Sequence, residues 1–413
     1  MLLPASGNNT AYNRAMRNFH VTAALFIGLM PLLAQPTHAA PAAQPPAAAK
    51  PAPAQPASTA PPASQLEARS WVLYDMQSNQ LITGYKHDDA FEPASLTKLM
   101  TAYLVFDALK QKKIKPEQVV PISNRARKAI GSRMFIQQDI PVTVNELIRG
   151  MIIQSGNDAT IALAEAIAGS EEAFAVLMNR EAKRMGLTKT QFVNATGLPA
   201  AKHTATARDL AKLTATLIRD YPEHYPLYAQ KEYTYNDITQ PNRNRLLWRD
   251  STVDGVKTGH TEAAGWCLVS SAKRGERRLI SVVMGAASDS ARAAESQKLL
   301  NYGYQYFDTV KLYDPRQAAH TARVWKGTKN TVGAGVVNGL YVTLPKGQAA
   351  NLKARVEIEQ PLLAPLQAGQ VIAKLKLELN SKPYHELPLT ALEEVPAANI
   401  FGRAWDSVRL YFN

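Results

Sequence analysis

The sequence holds one cysteine, Cys267, among 413 residues. That excludes an intrachain disulfide and any zinc or iron–sulfur centre built on cysteines. The eight histidines show no metal-ligand spacing, so neither a metal nor another cofactor is expected. Charged residues make up only 20% of the chain. Yet the mean hydropathy is −0.22, too polar for a polytopic membrane protein. Acidic residues are the scarcer sign, 34 against 47 basic, and the net charge of +13 favours an anionic partner. No internal repeat is present. What remains is ample for folding: 46% apolar residues, over a length that suggests two or three domains.

The two ends differ from the middle. Residues 1–63 contain no Asp or Glu. Arg14 and Arg17 precede the apolar run Val21–Ala34, and Thr37-His38-Ala39-Ala40 follows it. The run is broken by Pro31 and shorter than the ~20 residues of a membrane span. Positive region, short apolar core and small-residue site read as a secretory signal over 1–40, against an uncleaved anchor or a core helix. Met16 would start a leader of ordinary length. Losing the two arginines takes +13 to +11. Residues 41–64 are almost only Pro, Ala, Gln, Ser and Thr, and read as an extended linker or a processing remnant. Residues 396–413 form an amphipathic pattern. At 100° per residue, Ile400, Phe401, Ala404, Trp405, Val408, Tyr411 and Phe412 share an arc of about 140°, with Leu410 the apolar exception. The expectation is a helix lying on a membrane surface; the alternative is a helix docked on the protein's own core.

Between the ends, Trp71–Asp75 and Leu81–Tyr85 read as a hairpin. Helices are expected at Ser95–Leu109, Asn145–Ile153, Asn157–Ala168, Arg208–Arg219 and Glu295–Phe307. Strands are expected at Gly265–Ser271 and Arg278–Gly285. Strands at both ends with helices between imply an α/β domain, 65–314, whose terminal strands meet in one sheet. After about Asp314 the texture changes to short strands, and Val371–Leu379 alternates cleanly. Residues 315–395 read as a small all-β domain.

Three short motifs carry the chemistry: Ser95-Leu96-Thr97-Lys98, Ser155-Gly156-Asn157 and Lys257-Thr258-Gly259. Each alone is weak. Ser-x-x-Lys recurs at Ser270–Lys273, which straddles a strand end and a hairpin turn. Their order and placement give them weight. Ser95 and Lys98 open a helix, Ser155 sits in an interhelix turn, and Lys257 starts a strand. Positions i and i+3 share a helix face, so Lys98 can reach the Ser95 hydroxyl. A serine needs a base, so Lys98 must be held partly neutral by burial, a second cation such as Lys257, and the helix N-terminus. Ser155 can bridge protons to a leaving group, and Asn157 can donate to a substrate carbonyl. The strand at Lys257 can pair with an extended peptide. Lys257 and Thr258 can hold a terminal carboxylate while Gly259 leaves room. The backbone N–H groups of Ser95 and His260 are the natural oxyanion donors. Cys267 alternates with core residues and reads as a small buried hydrophobe.

With these motifs the sequence resembles the low-molecular-mass penicillin-binding proteins of the D-alanyl-D-alanine carboxypeptidase type. Ile153-Gln-Ser-Gly-Asn-Asp-Ala159, Asn194-Ala-Thr-Gly-Leu198, Thr206-Ala-Arg-Asp-Leu210, Asn242-Arg-Asn244, Val253–Thr261 and Ala294-Glu-Ser296 match its blocks. The resemblance implies an α/β (α+β) penicillin-binding/β-lactamase-like fold, an antiparallel sheet with helices on both faces, plus the all-β domain and terminal helix. It implies that Ser95 is acylated, Lys98 accepts its proton, Ser155 relays protons and Asn157 lines the cleft. Lys257 and Thr258 bind the terminal carboxylate, and Arg243 and Arg292 match cleft arginines. The block around Arg292 departs from the usual Gly-Arg-Glu-Ala-Glu-Ser. The implied substrate is the D-Ala-D-Ala end of peptidoglycan pentapeptides, the inhibitors are β-lactams, and the place is the periplasmic face of a bacterial inner membrane. Export disfavours nucleic acid. Rival readings are a β-lactamase, disfavoured by Ser-Gly-Asn and the lack of a matching glutamate motif, a crosslink endopeptidase, and a non-catalytic peptidoglycan binder.

Overall fold

The computed structural model describes residues 66–358 and 360–412. The expected signal and linker lie outside the described residues. In the first part, β1 (Ser70–Asp75) and β2 (Gln80–Tyr85) form a hairpin that leads through a 3-10 turn (Ala94–Thr97) into α1 (Lys98–Lys110). Helices α2 (Asn124–Arg127), α3 (Val144–Ile152), α4 (Asn157–Ala168), α5 (Glu171–Arg184) and α6 (Ala207–Asp220) follow. Then come a small hairpin of β3 (Glu232–Tyr235) and β4 (Ile238–Pro241), and the short helix α7 (Leu246–Arg249). Strands β5 (Val253–Thr261), β6 (Gly265–Arg274) and β7 (Arg277–Ala286) precede α8 (Asp289–Tyr306). The sheet is antiparallel in the order β2-β1-β7-β6-β5, so the first and last strands meet as the sequence implies.

Alternation decides which face each strand residue serves. Trp71, Leu73, Leu268, Leu279 and Val283 pack with Leu299 and Leu300 of α8 on one face. Val72, Tyr74, Val269, Ile280 and Val282 pack with the α1–α6 lobe on the other. Helix α1 is buried almost all round, because it runs through the middle of that lobe. Its residues Leu99, Val105 and Phe106 are fully enclosed. The lobe's helices begin where side chains cap them. Thr143 and Glu146 form a reciprocal capping box at α3, and Ser170 caps α5.

Helices α2, α5 and α7 and the hairpin β3–β4 were not expected, and three expected placements differ. Helix α8 starts at Asp289 rather than Glu295, because the Ser288 hydroxyl accepts from the Ala291 amide and caps a first turn too polar to show periodicity. Lys257 is the fifth residue of its strand rather than the first. Ser95 lies in the 3-10 turn, and the α-helix proper begins at Lys98.

The second part is all-β. Strand β8 (Phe307–Tyr313) pairs with β11 (Leu340–Pro345). Strands β9 (Ala318–Trp325), β10 (Thr331–Gly335), β12 (Leu352–Ile358), β13 (Leu362–Leu363), β14 (Val371–Leu379) and β15 (Lys382–Ala391) make a six-stranded sheet ordered β12-β14-β15-β10-β9-β13. Ala373, Leu375, Leu377 and Leu379 are buried, as their alternation implies. The chain turns from β14 to β15 at Asn380-Ser381, both with positive φ, the geometry a two-residue hairpin needs. Two prolines hide β15 from propensity reading. The last helix, α9 (Ile400–Tyr411), has no buried residue. Its half-covered positions are Gly402, Asp406 and Leu410, a stripe opposite the aromatic arc. Asp406 accepts from the Lys326 amide at 2.6 Å, so the helix rests on the β domain by its polar side. Leu410, the exception in the sequence pattern, belongs to that stripe. No helix among the described residues is long and apolar enough to cross a membrane.

Candidate active site

The turn before α1 presents Ser95. Ala94 holds φ +48°, a left-handed conformation that costs of order 1–3 kcal/mol in a residue with a Cβ. Lys98, on the first turn of α1, is 1% exposed. Its Nζ lies 3.0 Å from Ser95 Oγ, and it donates to Asn157 Oδ1 and to the Thr196 carbonyl, both at 2.7 Å. Two of these partners can only accept. A neutral amine has two N–H groups and one lone pair, so those partners take the hydrogens and the lone pair faces the Ser95 hydroxyl. The arrangement can remove the serine proton.

The second wall is the turn between α3 and α4. Ser155 has φ +64°, and its buried Oγ has no partner among the described residues although it lines the cleft. Asn157 is turned inward: Oδ1 meets Lys98, and Nδ2 donates to the Ile130 carbonyl at 2.6 Å. In the free protein it therefore ties the base to the 130–136 loop instead of waiting with both groups for a substrate amide. Asp158 holds the same loop, accepting from the amides of Met134, Phe135 and Ile136.

The third wall is β5, the open edge of the sheet. A Cβ on Gly259 would stand 3.0 Å from the Pro93 carbonyl oxygen and 3.2 Å from the Ser95 nitrogen, so any other residue would have to push strand and nucleophile a few tenths of an ångström apart. Gly197 is stricter: at φ +84°, a Cβ would fall 1.8 Å from the Ala94 carbonyl oxygen. His260 is exposed and packs against Trp266 with the rings tilted by 32° and their centres 4.0 Å apart. Lys257 is 3% exposed, its Nζ donating to the Thr258 carbonyl at 3.0 Å.

Ser95, Ser155, Asn157, Arg243, Thr258, Gly259, His260 and Arg292 all line one cleft of about 740 Å³, with Lys98 and Lys257 beneath its floor. The two arginines differ. Arg292 Nη1 donates to the carbonyls of Gly259 and Cys267, and its other arm is paired with Asp289. Its guanidinium lies over Trp266 at 5.0 Å. Arg243 is exposed and has no hydrogen bond or ion pair among the described residues. Sequence reading passed over Thr196, Gly197, Asp158, Arg245, Trp266 and Asp289. The Asn194–Leu198 block carries a signal for the first two and the Ile153–Ala159 block for Asp158; the others depend on long-range packing.

The charges follow from burial. Burial above all, then the Arg243 charge, lowers Lys98 to about 7, while Asp158 and Glu171 oppose the shift. Burial also pushes Lys257 well below the usual lysine range, with Lys98, Arg243 and Arg292 adding to the effect. Arg243 is thus a cation that depresses Lys98, beside Lys257, which repels Lys98 in turn. Burial raises the Cys267 thiol to about 11, which leaves it inert.

Comparison with known proteins gives the family and the fold. The family model described as D-alanyl-D-alanine carboxypeptidase matches residues 55–288, more than half of the chain. The chain belongs to this family. A second model, the penicillin-binding protein 5 C-terminal domain, matches residues 307–397. D-alanyl-D-alanine carboxypeptidase DacC of Escherichia coli (strain K12) is 46% identical over 360 residues, 85% of this chain and 90% of that protein. Penicillin binding protein 5 from Haemophilus influenzae has a solved structure with TM-score 0.76 and 41% identity, covering 82% of this chain and all of that one. Penicillin-binding protein D2 from Listeria monocytogenes, solved in its ampicillin-bound form, gives TM-score 0.55 at 29% identity over 59% of this chain and all of that one. The carboxypeptidase fold, with its all-β C-terminal domain, and serine-type D-alanyl-D-alanine carboxypeptidase activity on peptidoglycan are thus those of this chain. Arg292 lies four residues beyond the matched stretch of the catalytic model.

Proposed function

We propose that Ser95 is the acylated nucleophile of this carboxypeptidase and Lys98 its base. The observation that carries the reading is the buried Lys98 amine, its other partners both acceptors, 3.0 Å from Ser95 Oγ. Neutral Lys98 takes the Ser95 proton, and Oγ attacks the carbonyl carbon of the penultimate D-Ala. The oxyanion is held by the backbone N–H groups of Ser95 and His260. The unpartnered Ser155 hydroxyl passes the proton from Lys98 to the departing nitrogen of the terminal D-Ala. Water then cleaves the ester at Ser95. The free carboxylate of the substrate goes to Thr258 and to Arg243, the cleft arginine without a partner, with Lys257 beneath it. Arg292 holds Gly259 in place, so the exposed edge of β5 is ready to pair with the peptide. Intact-mass analysis after penicillin should show one adduct, on the peptide containing Ser95. An adduct elsewhere, or none, sinks the assignment.

We infer further that α9 attaches the enzyme to a membrane surface, at the periplasmic face of the inner membrane, after export on the 1–40 signal. The aromatic arc supports this: Phe401, Tyr411 and Phe412 are each at least 80% exposed, and Trp405 is 62% exposed. Burying each such side chain in lipid is worth about 1.5–3 kcal/mol. Arg403 and Arg409 add attraction to anionic headgroups. In this reading residues 65–314 and 315–395 are the catalytic and spacing domains, and 396–413 the anchor. Deleting 397–413 should leave peptide hydrolysis intact and abolish flotation with anionic liposomes. Flotation that survives the deletion defeats the anchor.

A further inference from the structure

The segment leading into α7 presents two arginines to the cleft. Asn242 and Asn244 are buried, donating to the carbonyls of Gln230 and Gly255 at 3.0 and 2.9 Å, while Leu246 N donates to Asn244 Oδ1. This clamp turns the alternate residues, Arg243 and Arg245, outward into the same cleft. Arg245 pairs with Asp289, which also pairs with Arg292. The Arg245 side chain is 54% exposed and that of Asp289 22% exposed. Among the described residues, Asp289 is the only acidic side chain lining the cleft.

Three lining arginines against one aspartate leave a charge of +2. One substrate carboxylate, on Arg243, reduces this to +1. Arg292 is occupied by two backbone carbonyls and Asp289, so the remaining charge is reachable at Arg245. Asp289 does not need Arg245 to stay in place. It keeps Arg292, and it lies in the first turn of α8, where a helix favours a negative group.

We infer that Arg245, restrained by Asp289, is a specificity-determining residue that receives a second carboxylate, so that the cleft accepts D-alanyl peptides whose leaving D-residue has an acidic side chain. The inference deepens the carboxypeptidase reading and rests on it. It is tested with N-blocked peptides ending in D-Ala-D-Ala and in D-Ala-D-Glu, taking the ratio of kcat/KM for the second to the first. Arg245→Gln should lower that ratio about fivefold, through KM, as befits a half-exposed ion pair. Arg245→Lys should keep the ratio near the wild-type value. Asp289→Asn should raise it, because Arg245 is then unrestrained. Penicillin labelling of each variant at one adduct per chain shows that the site is intact. Equal losses on both peptides, shifts of the same sign in Arg245→Gln and Asp289→Asn, or wild-type turnover of only the D-Ala peptide overturn the inference. Wild-type turnover of neither peptide, without labelling at Ser95, overturns the reading beneath it.

Discussion

Ser-x-x-Lys occurs at residues 95–98 and again at 270–273, and the two copies have different lives. In the first, the chain coils through a 3-10 turn into α1, and the lysine amine comes within 3.0 Å of the serine oxygen. In the second, the chain is extended within β6. Residues three apart in a strand point to opposite faces. Ser270 therefore turns inward to hydrogen-bond Ser281 at 2.7 Å, while Lys273 reaches solvent beside Glu276. The same letters yield a reactive pair only where the backbone is helical and the amine is denied water.

This comparison can be broken most severely at the base. Lys98→Ala should slow acylation by penicillin about 10²–10⁴-fold, the range for removal of a general base. The matching Lys273→Ala should label at the wild-type rate. Near-normal labelling of the first, or a deficit in the second, would mean that helical placement is not what separates the copies.

A smaller effect sharpens the same point through pH. Lys98 must be neutral to accept a proton, and its burial brings it to about 7. Acylation should therefore rise with pH, falling about tenfold per unit below that value and levelling above it. Lys273 has no part in this profile, so Lys273→Ala should leave the inflection in place. An inflection in the usual lysine range would show that burial does not tune the base. The sign for stability is related. Because folding lowers the Lys98 pKa, the unfolded chain binds more protons between about 7 and the ordinary lysine value, and stability rises with pH across that window.

Much of the fold is written in local pattern. Alternation exposes β14 and the sheet strands, and helical spacing exposes α3, α4 and α6. Where pattern fails, a cap or a turn explains it. The Ser288 hydroxyl starts α8 six residues before the first expected position. The positive φ angles of Asn380 and Ser381 allow β15 to return beside β14 despite its prolines. The site divides similarly. Ser95 and Lys98 are related by a single helical turn, and could be paired on paper. Asp158 could not be assigned its loop, because its three amide partners lie 22–24 residues back along the chain.

What depends on neighbours in the chain was legible before folding: most of the strands and helices, the serine–lysine pair and the aromatic arc of the tail. Tertiary structure alone decided what makes the pair chemical. The Thr196 carbonyl, 98 residues from Lys98, and Asn157, 59 residues away, take its hydrogens. Arg243 repels its charge, and the side that α9 turns to the β domain leaves its aromatics in solvent. A lysine's proton affinity is set by everything within a few ångströms, and a chain brings such neighbours together only by folding.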